Sequence, residues 1–346
     1  MSIFAIDVHC RLITRGVINL EYHLYMLVYA GIDEAGYGPM FGPLCVGASV
    51  FVLENHNPET GAPDIWSLLS TILCKSRKDR HHRIAINDSK KLKSGSKPED
   101  LFGLERGVFA FLDALHNRKP IKDDNDFFKL VGSTIPNDPW FASSTVLPVA
   151  VDPNELRINS NRLNRSLKDA NITCDWLTCE SIDVQMYNER TTIESKAALN
   201  FSIAMNHVNT IMKRYPTQHP RIMIDRHGGR SRYRNDLQLC WPESDIQILC
   251  EDDKMSRYRM QRDDSFVTIT FESKSDEKHL PVALASMIAK YTRELKMIRL
   301  NRYFRSELPG LQPTAGYVKD GRRFLKDIEP FLVKKGIKRE LLVRSS

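Results

Sequence analysis

The stretch that most restricts the fold runs from Tyr25 to Ile32, almost continuously apolar, and breaks at once into Asp33-Glu34-Ala35-Gly36-Tyr37-Gly38-Pro39. An apolar run closed by Gly and Pro is a buried strand entering a turn. The acidic pair at its end must face either solvent or a ligand. Leu44 to Leu53 is a second β-rich run behind Pro39 and Pro43, so the two predict an antiparallel pair that opens a sheet. Further on, Pro220 to Ile224 reads as a short strand that delivers Asp225 to its end. Ile246 to Cys250 and Phe266 to Phe271 read as further strands. Lys196 to Tyr215 has the apolar spacing of an amphipathic helix stopped by Pro216, and Pro281 to Phe304 is the strongest helix in the chain. Strands alternating with helices predict an α/β protein with a mixed sheet.

Length and composition remove other classes. The chain has 346 residues, 42% hydrophobic and 27% charged, with Gly and Pro at 17 each, which excludes disordered and collagen-like chains. The formal charge of +7 permits an anionic partner without requiring one. Seven cysteines, at 10, 45, 74, 174, 179, 240 and 250, form no CxxC pair and read as reduced thiols of a cytoplasmic protein. Asp7, Arg11, Arg15 and Glu21 interrupt the first 28 residues, so these predict neither a secretory signal nor a membrane span. Residues 1–25 read as an N-terminal extension, residues 26–346 as one catalytic domain, and about 100–190 as an insertion within it. No membrane association and no obligate protein partner is expected.

Four acids stand out by position: Asp33 and Glu34 after the first strand, Asp225 after a later one, and Asp276 just ahead of the long helix. Taken singly, Asp225 also suits a turn before Gly228-Gly229, and Asp276 a helix-start charge. Jointly they sit where strand ends bring distant residues together. Clustered carboxylates repel and raise one another's pKa unless a cation lies between them. The expected cation is a hard one held by oxygen, Mg²⁺ or Mn²⁺. Lys75 to Lys97, dense in basic residues, reads either as a solvated loop or as a phosphate-contacting surface.

Gly31-Ile32-Asp33-Glu34-Ala35-Gly36-Tyr37-Gly38-Pro39 with Gly42-Pro43 resembles the opening signature of the ribonuclease HII and HIII family. The likeness continues in order through Asp88-Ser89-Lys90-Lys91-Leu92, Ile222 to Asp225, Asp276 to Lys290 with Arg293 and Glu294, and Gly316-Tyr317. Glu294 stands where the family commonly has Asp. The resemblance implies a ribonuclease H-like fold, a mixed sheet of roughly five strands flanked by helices. It implies hydrolysis of the RNA strand, or of embedded ribonucleotides, in RNA/DNA duplexes, with 5′-phosphate and 3′-hydroxyl products. Asp33, Glu34, Asp225 and Asp276 would hold two Mg²⁺ or Mn²⁺ ions, and Gly36, Tyr37, Gly38, Lys90, Lys91 and Tyr317 would contact the nucleic acid. The family's type HII has Arg between the two glycines, where this chain has Tyr37, so the preference for a single embedded ribonucleotide is open. Two other readings stand beside this one: a non-catalytic nucleic-acid-binding homologue and a structure-specific DNA nuclease of the same fold.

Overall fold

The computed structural model describes residues 26–57, 61–79, 81–93, 95, 97–115, 120–226, 228–262 and 265–345. The expected N-terminal extension, residues 1–25, lies outside them. The first strand, β1 (Met26–Ala35), pairs antiparallel with β2 (Leu44–Glu54), as the two apolar runs predict. Its other edge pairs parallel with β6 (Arg221–Asp225), so Ile32 stands beside Ile224 and the acids that follow each come to the same end of the sheet.

Between these strands lie α1 (Ile65–Leu68), a small parallel pair β3 (Leu73–Cys74) and β4 (Ile84–Ala85), α2 (Ser89–Leu92), α3 (Phe102–Leu115), α4 (Asp124–Val131) and α5 (Pro153–Asp169). Then come β5 (Ile172–Ile182), α6 (Val184–Thr191) and α7 (Lys196–Arg214). After β6 the chain makes α8 (Arg234–Cys240), β7 (Asp245–Glu251), β8 (Met255–Arg262), β9 (Ser265–Glu272), α9 (Ser275–Lys278), α10 (Leu280–Glu307) and α11 (Val318–Lys335).

The main sheet has seven strands in the order β5-β2-β1-β6-β9-β8-β7. Its first five, with only β2 running against the rest, form a mixed sheet of the kind the resemblance implies. The expectation of about five strands falls short because the antiparallel hairpin β7–β8 extends the sheet beyond β9. Residues 100–190 are not a separate body. β5 is a strand of the main sheet, and α3 lies in the same core as Leu27 and Tyr29. The buried carboxylate of Glu105 on α3 accepts the backbone N–H groups of Val149, Ala150 and Val151 at 2.7, 2.6 and 2.9 Å and the Tyr291 hydroxyl at 2.6 Å. One acid thus ties the middle segment to α10.

Alternation along each strand builds two cores. Leu27 and Tyr29 face α3 and α10, while Val28, Ala30 and Ile32 face α7. Helix α10 comes onto the sheet at two glycines. A Cβ at Gly31 would stand 2.1 Å from Val282 N, and one at Gly47 would stand 2.3 Å from the Ala285 carbonyl oxygen. Ser49 Oγ donates to the Pro281 carbonyl at 2.7 Å across the same seam. This close approach brings the start of α10 against the acidic end of β1. The far half of α10 packs with α11 in a third cluster around Phe41, Trp140, Phe304 and Phe324. No helix among the described residues is long and apolar enough to cross a membrane. Of the six cysteines in this region, Cys45, Cys74, Cys174 and Cys179 are buried and all six are free.

Candidate active site

Three chain segments bring the four acids to one end of the sheet. Asp33 and Glu34 end β1, and Asp225 ends the adjacent β6. Asp276 lies in the single turn of α9, so it is helical rather than in a loop before the helix. The Ser275 backbone N–H donates to Asp225 Oδ1 at 2.9 Å and fixes α9 against β6. Alternation puts Asp33 and Asp225 on the face that α10 covers and Glu34 on the α7 face.

Electrostatics show how closely the acids share this space. Burial, then the charges of Glu34 and Asp225, hold the Asp33 carboxyl well above the usual carboxylate range, against the opposing effect of Ser286. Burial likewise raises Glu34, although Asn200 and Lys90 work the other way. Asp225 is pushed up to about 6 by burial and by Glu34, and Asp276 to about 6 by burial and by Asp88 and Asp225. The Asn200 amide, 1% exposed, is turned toward Glu34, yet neither its nitrogen nor its oxygen completes a hydrogen bond of ordinary geometry. A buried amide without a partner is costly unless something else fills its place.

The string Asp88 to Leu92 lies at the same site. Asp88 caps α2 by accepting the Lys90 backbone N–H at 2.9 Å, and buried Ser89 lies 3.2 Å from Ser286 Oγ on α10. Burial alone would lower the Lys90 ammonium, but Asp88, Asp33, Asp276 and Asp225 together hold it above its ordinary value. Lys91 pairs with Glu277 at 2.9 Å. Of the two lysines, Lys90 is the one directed into the field of the acids. Further along α10, Glu294 meets Lys290 at 2.8 Å and Lys93 at 3.3 Å, and these cations with Arg293 hold it low despite its burial.

The loop after the acids is fastened from behind by two arginines, Arg293 and Arg344. Arg344 donates to the Gly42 and Gly36 carbonyls at 2.9 and 2.5 Å, and Arg293 donates to those of Phe41 and Ala315 at 3.1 and 2.9 Å. Gly36 adopts φ +85°, and a Cβ there would stand 2.8 Å from Arg293 Cδ, so only Gly fits. Gly38 borders open space, and Tyr37 is exposed with the Lys196 ammonium 4.2 Å from its ring centre. The Gly316 carbonyl accepts the backbone N–H groups of Met40 and Phe41 at 2.9 and 3.2 Å. Half-exposed Tyr317 is thereby held beside the same loop. A cleft of about 880 Å³ lies beyond this loop between Gly38, Lys196 and Arg344, and none of the four acids lines it.

No curated protein matches the chain. The Ribonuclease HII family model matches residues 237–326, a span that holds Asp276, α9, α10 and the Gly316-Tyr317 pair. Over that span the chain is similar to the ribonuclease HII family. Among solved structures it is similar to the ribonuclease HII in the PCNA complex from Archaeoglobus fulgidus, at 16% identity and TM-score 0.40, covering 92% of this chain and 94% of the other. Ribonuclease H2 from Pyrococcus horikoshii OT3 is similar at 16% identity and TM-score 0.39, with 91% and 92% covered. Bst-RNase HIII in complex with Mn²⁺ is similar at 17% identity and TM-score 0.37, with 93% and 68% covered.

Two kinds of site residue escape sequence reasoning. Arg344 lies more than three hundred residues from the loop it fastens, and Arg293, which the resemblance marks, carries no sign in the sequence of the loop carbonyls it holds. Asn200 carries no local signal beyond its place in the first turns of α7.

Proposed function

We propose that this chain is a divalent-metal-dependent endoribonuclease that hydrolyses the RNA strand, or embedded ribonucleotides, of RNA/DNA duplexes and leaves 5′-phosphate and 3′-hydroxyl ends. One observation carries the proposal. Asp33, Glu34, Asp225 and Asp276 come from separate segments to one sheet end, where burial and mutual repulsion raise the pKa of each.

The donor set fits a hard cation. Among the described residues no three acidic, His or Cys groups close around one point. The four acids nevertheless supply only oxygen donors, and the unpartnered Asn200 amide beside Glu34 is a further polar group directed at that space. An open oxygen set suits Mg²⁺ or Mn²⁺, which keep waters and take phosphate oxygens. When bound, two such ions supply Lewis-acid neutralisation of charge at the scissile phosphate. Asp33 and Asp225 would hold them from the sheet, Glu34 from the α7 face, and Asp276 from α9.

The remaining residues bind and orient. Lys90 would neutralise a backbone phosphate entering the acidic site, with Lys91 behind it in its pair with Glu277. With the Gly36, Phe41 and Gly42 carbonyls turned to the two arginines, Gly36 and Gly38 can offer backbone N–H groups to a sugar. Tyr37 and Tyr317 would pack against sugar or base on either side of that turn. Tyr37 stands in place of the Arg of type HII, so the turn would read ribose through its backbone.

Mn²⁺ titration followed by electron paramagnetic resonance tests this reading and separates it from a non-catalytic homologue. Saturable binding by the wild type, weakened at least tenfold in Asp33→Asn and in Asp276→Asn, is the expected result. Absence of saturable binding at millimolar Mn²⁺ would refute it.

A further inference from the structure

Among the described residues, the sheet face that carries Asp33 and Asp225 is covered only in part. Helix α10 lies over β1 and β2 and reaches just the edge of β6. Beyond it, the alternation that puts Asp225 on this face also puts Arg221 there, and puts Thr268 and Thr270 of β9 and Arg257 and Arg259 of β8 beside them. These residues line a cleft of about 280 Å³ whose lining holds three arginines and no carboxylate.

Threonine hydroxyls beneath two of the arginines accept their protons. Arg221 Nη1 donates to Thr268 Oγ1 at 2.7 Å, and Arg257 Nε donates to Thr270 Oγ1 at 3.1 Å. Arg259 is exposed, and neither it nor Arg257 forms an ion pair with a carboxylate among the described residues. Their field is felt nearby. His219 is pushed down to about 4 by burial, then by Arg221 and Arg259.

We infer that this open face of β6, β9 and β8 is a second nucleic-acid contact, binding the phosphate backbone of the duplex beyond the acidic site. The inference rests on the reading of that site as one that cuts a duplex. Charge complementarity selects the occupant, since the guanidiniums of Arg257 and Arg259, neither in an ion pair with a carboxylate among the described residues, suit phosphodiesters. Continuity supports it as well, because the same sheet face leads from Asp225 to Arg221 without a change of side. Four residues of β6 span roughly 13 Å and two strand spacings roughly 10 Å, placing Arg259 about 16 Å from the acids. That is about five base-pair steps along a duplex at ~3.4 Å each.

The test compares wild type with Arg257→Glu/Arg259→Glu, and with the milder Arg257→Gln/Arg259→Gln, on RNA/DNA hybrids. One hybrid extends about fifteen base pairs to both sides of the cut, and two others are truncated to about four on one side or the other. On the long hybrid the reversed variant should show KM raised on the order of tenfold or more with kcat unchanged. Its salt slope should fall by up to about two, and the Gln variant should lie between. On one of the truncated hybrids, wild type and both variants should be alike. Equal behaviour on the long hybrid, or a deficit of the same size on all three with circular dichroism unchanged, would overturn the inference. Failure of the wild type to cut any hybrid would instead overturn the reading of the acidic site.

Discussion

Replacing Asp225 by Asn should make the metal-free protein more stable while removing its cleavage. A rise in the Asp225 pKa from 3.8 to about 6 sets the folded environment against the ionised form. It corresponds to roughly 3 kcal/mol at neutral pH, taking ~1.36 kcal/mol per pH unit. Sharing of that repulsion with Glu34 leaves about 1–2 kcal/mol as the expected gain, since Asn keeps an oxygen to accept the Ser275 N–H. The sign follows from proton linkage. A carboxyl whose folded pKa lies above its unfolded one binds more protons folded, so stability is highest below pH ~4 and falls as pH rises toward 6. Urea unfolding in EDTA at pH 5 and pH 7.5 checks this. Wild type should lose stability over that interval, and the variant should lose less and unfold later at pH 7.5. Added Mg²⁺ should stabilise wild type more than the variant. A variant less stable than wild type in EDTA at pH 7.5 would refute the claim that burial, with like-charge crowding, disfavours the ionised acid at this end of the sheet.

Gly31→Ala should destabilise by about 2–3 kcal/mol in urea unfolding, since the new methyl meets the α10 backbone at Val282 and Pro281 and cannot be relieved by a rotamer change. Arg299→Met should cost about 3–5 kcal/mol, because it leaves fully buried Asp124 without the guanidinium that donates to its Oδ2 at 2.7 Å; Asp124→Leu in the same chain should recover much of the loss. Tyr37→Arg alone sets a guanidinium against Lys196, now 4.2 Å from the tyrosine ring. Cleavage at a single embedded ribonucleotide should therefore rise more in Tyr37→Arg/Lys196→Ala than in either single variant, and equal rates in all three would return that recognition to other residues.

The acids were legible because each sits where a periodic signal stops. Asp33 and Glu34 follow an apolar run, Asp225 follows another, and Asp276 precedes the longest helix. Strand β8 was harder to see. Its inward Tyr258 and Met260 alternate with Arg257 and Arg259, but the segment is short and rich in charge. Helix α10 shows the deeper limit. Arg293, Lys296 and Arg299 are charged positions on this helix, yet each is about 1% exposed. Carbonyls of Phe41, Thr134, Ala315 and Phe141 accept their protons, and these come from loops far away in the chain. No local pattern announces which loop will supply an acceptor. The fastening of the Gly36 loop by Arg344 is hidden for the same reason.

The most direct measurement is cleavage of three matched duplexes in Mg²⁺ and in Mn²⁺: one with an all-RNA strand, one with a single ribonucleotide in DNA, and one all DNA. Asp33→Asn serves as the control. The account predicts cutting only of strands that contain ribonucleotides, with 5′-phosphate ends, and none by the variant despite retained duplex binding. Cutting of the all-DNA duplex, or normal turnover by Asp33→Asn, would contradict it.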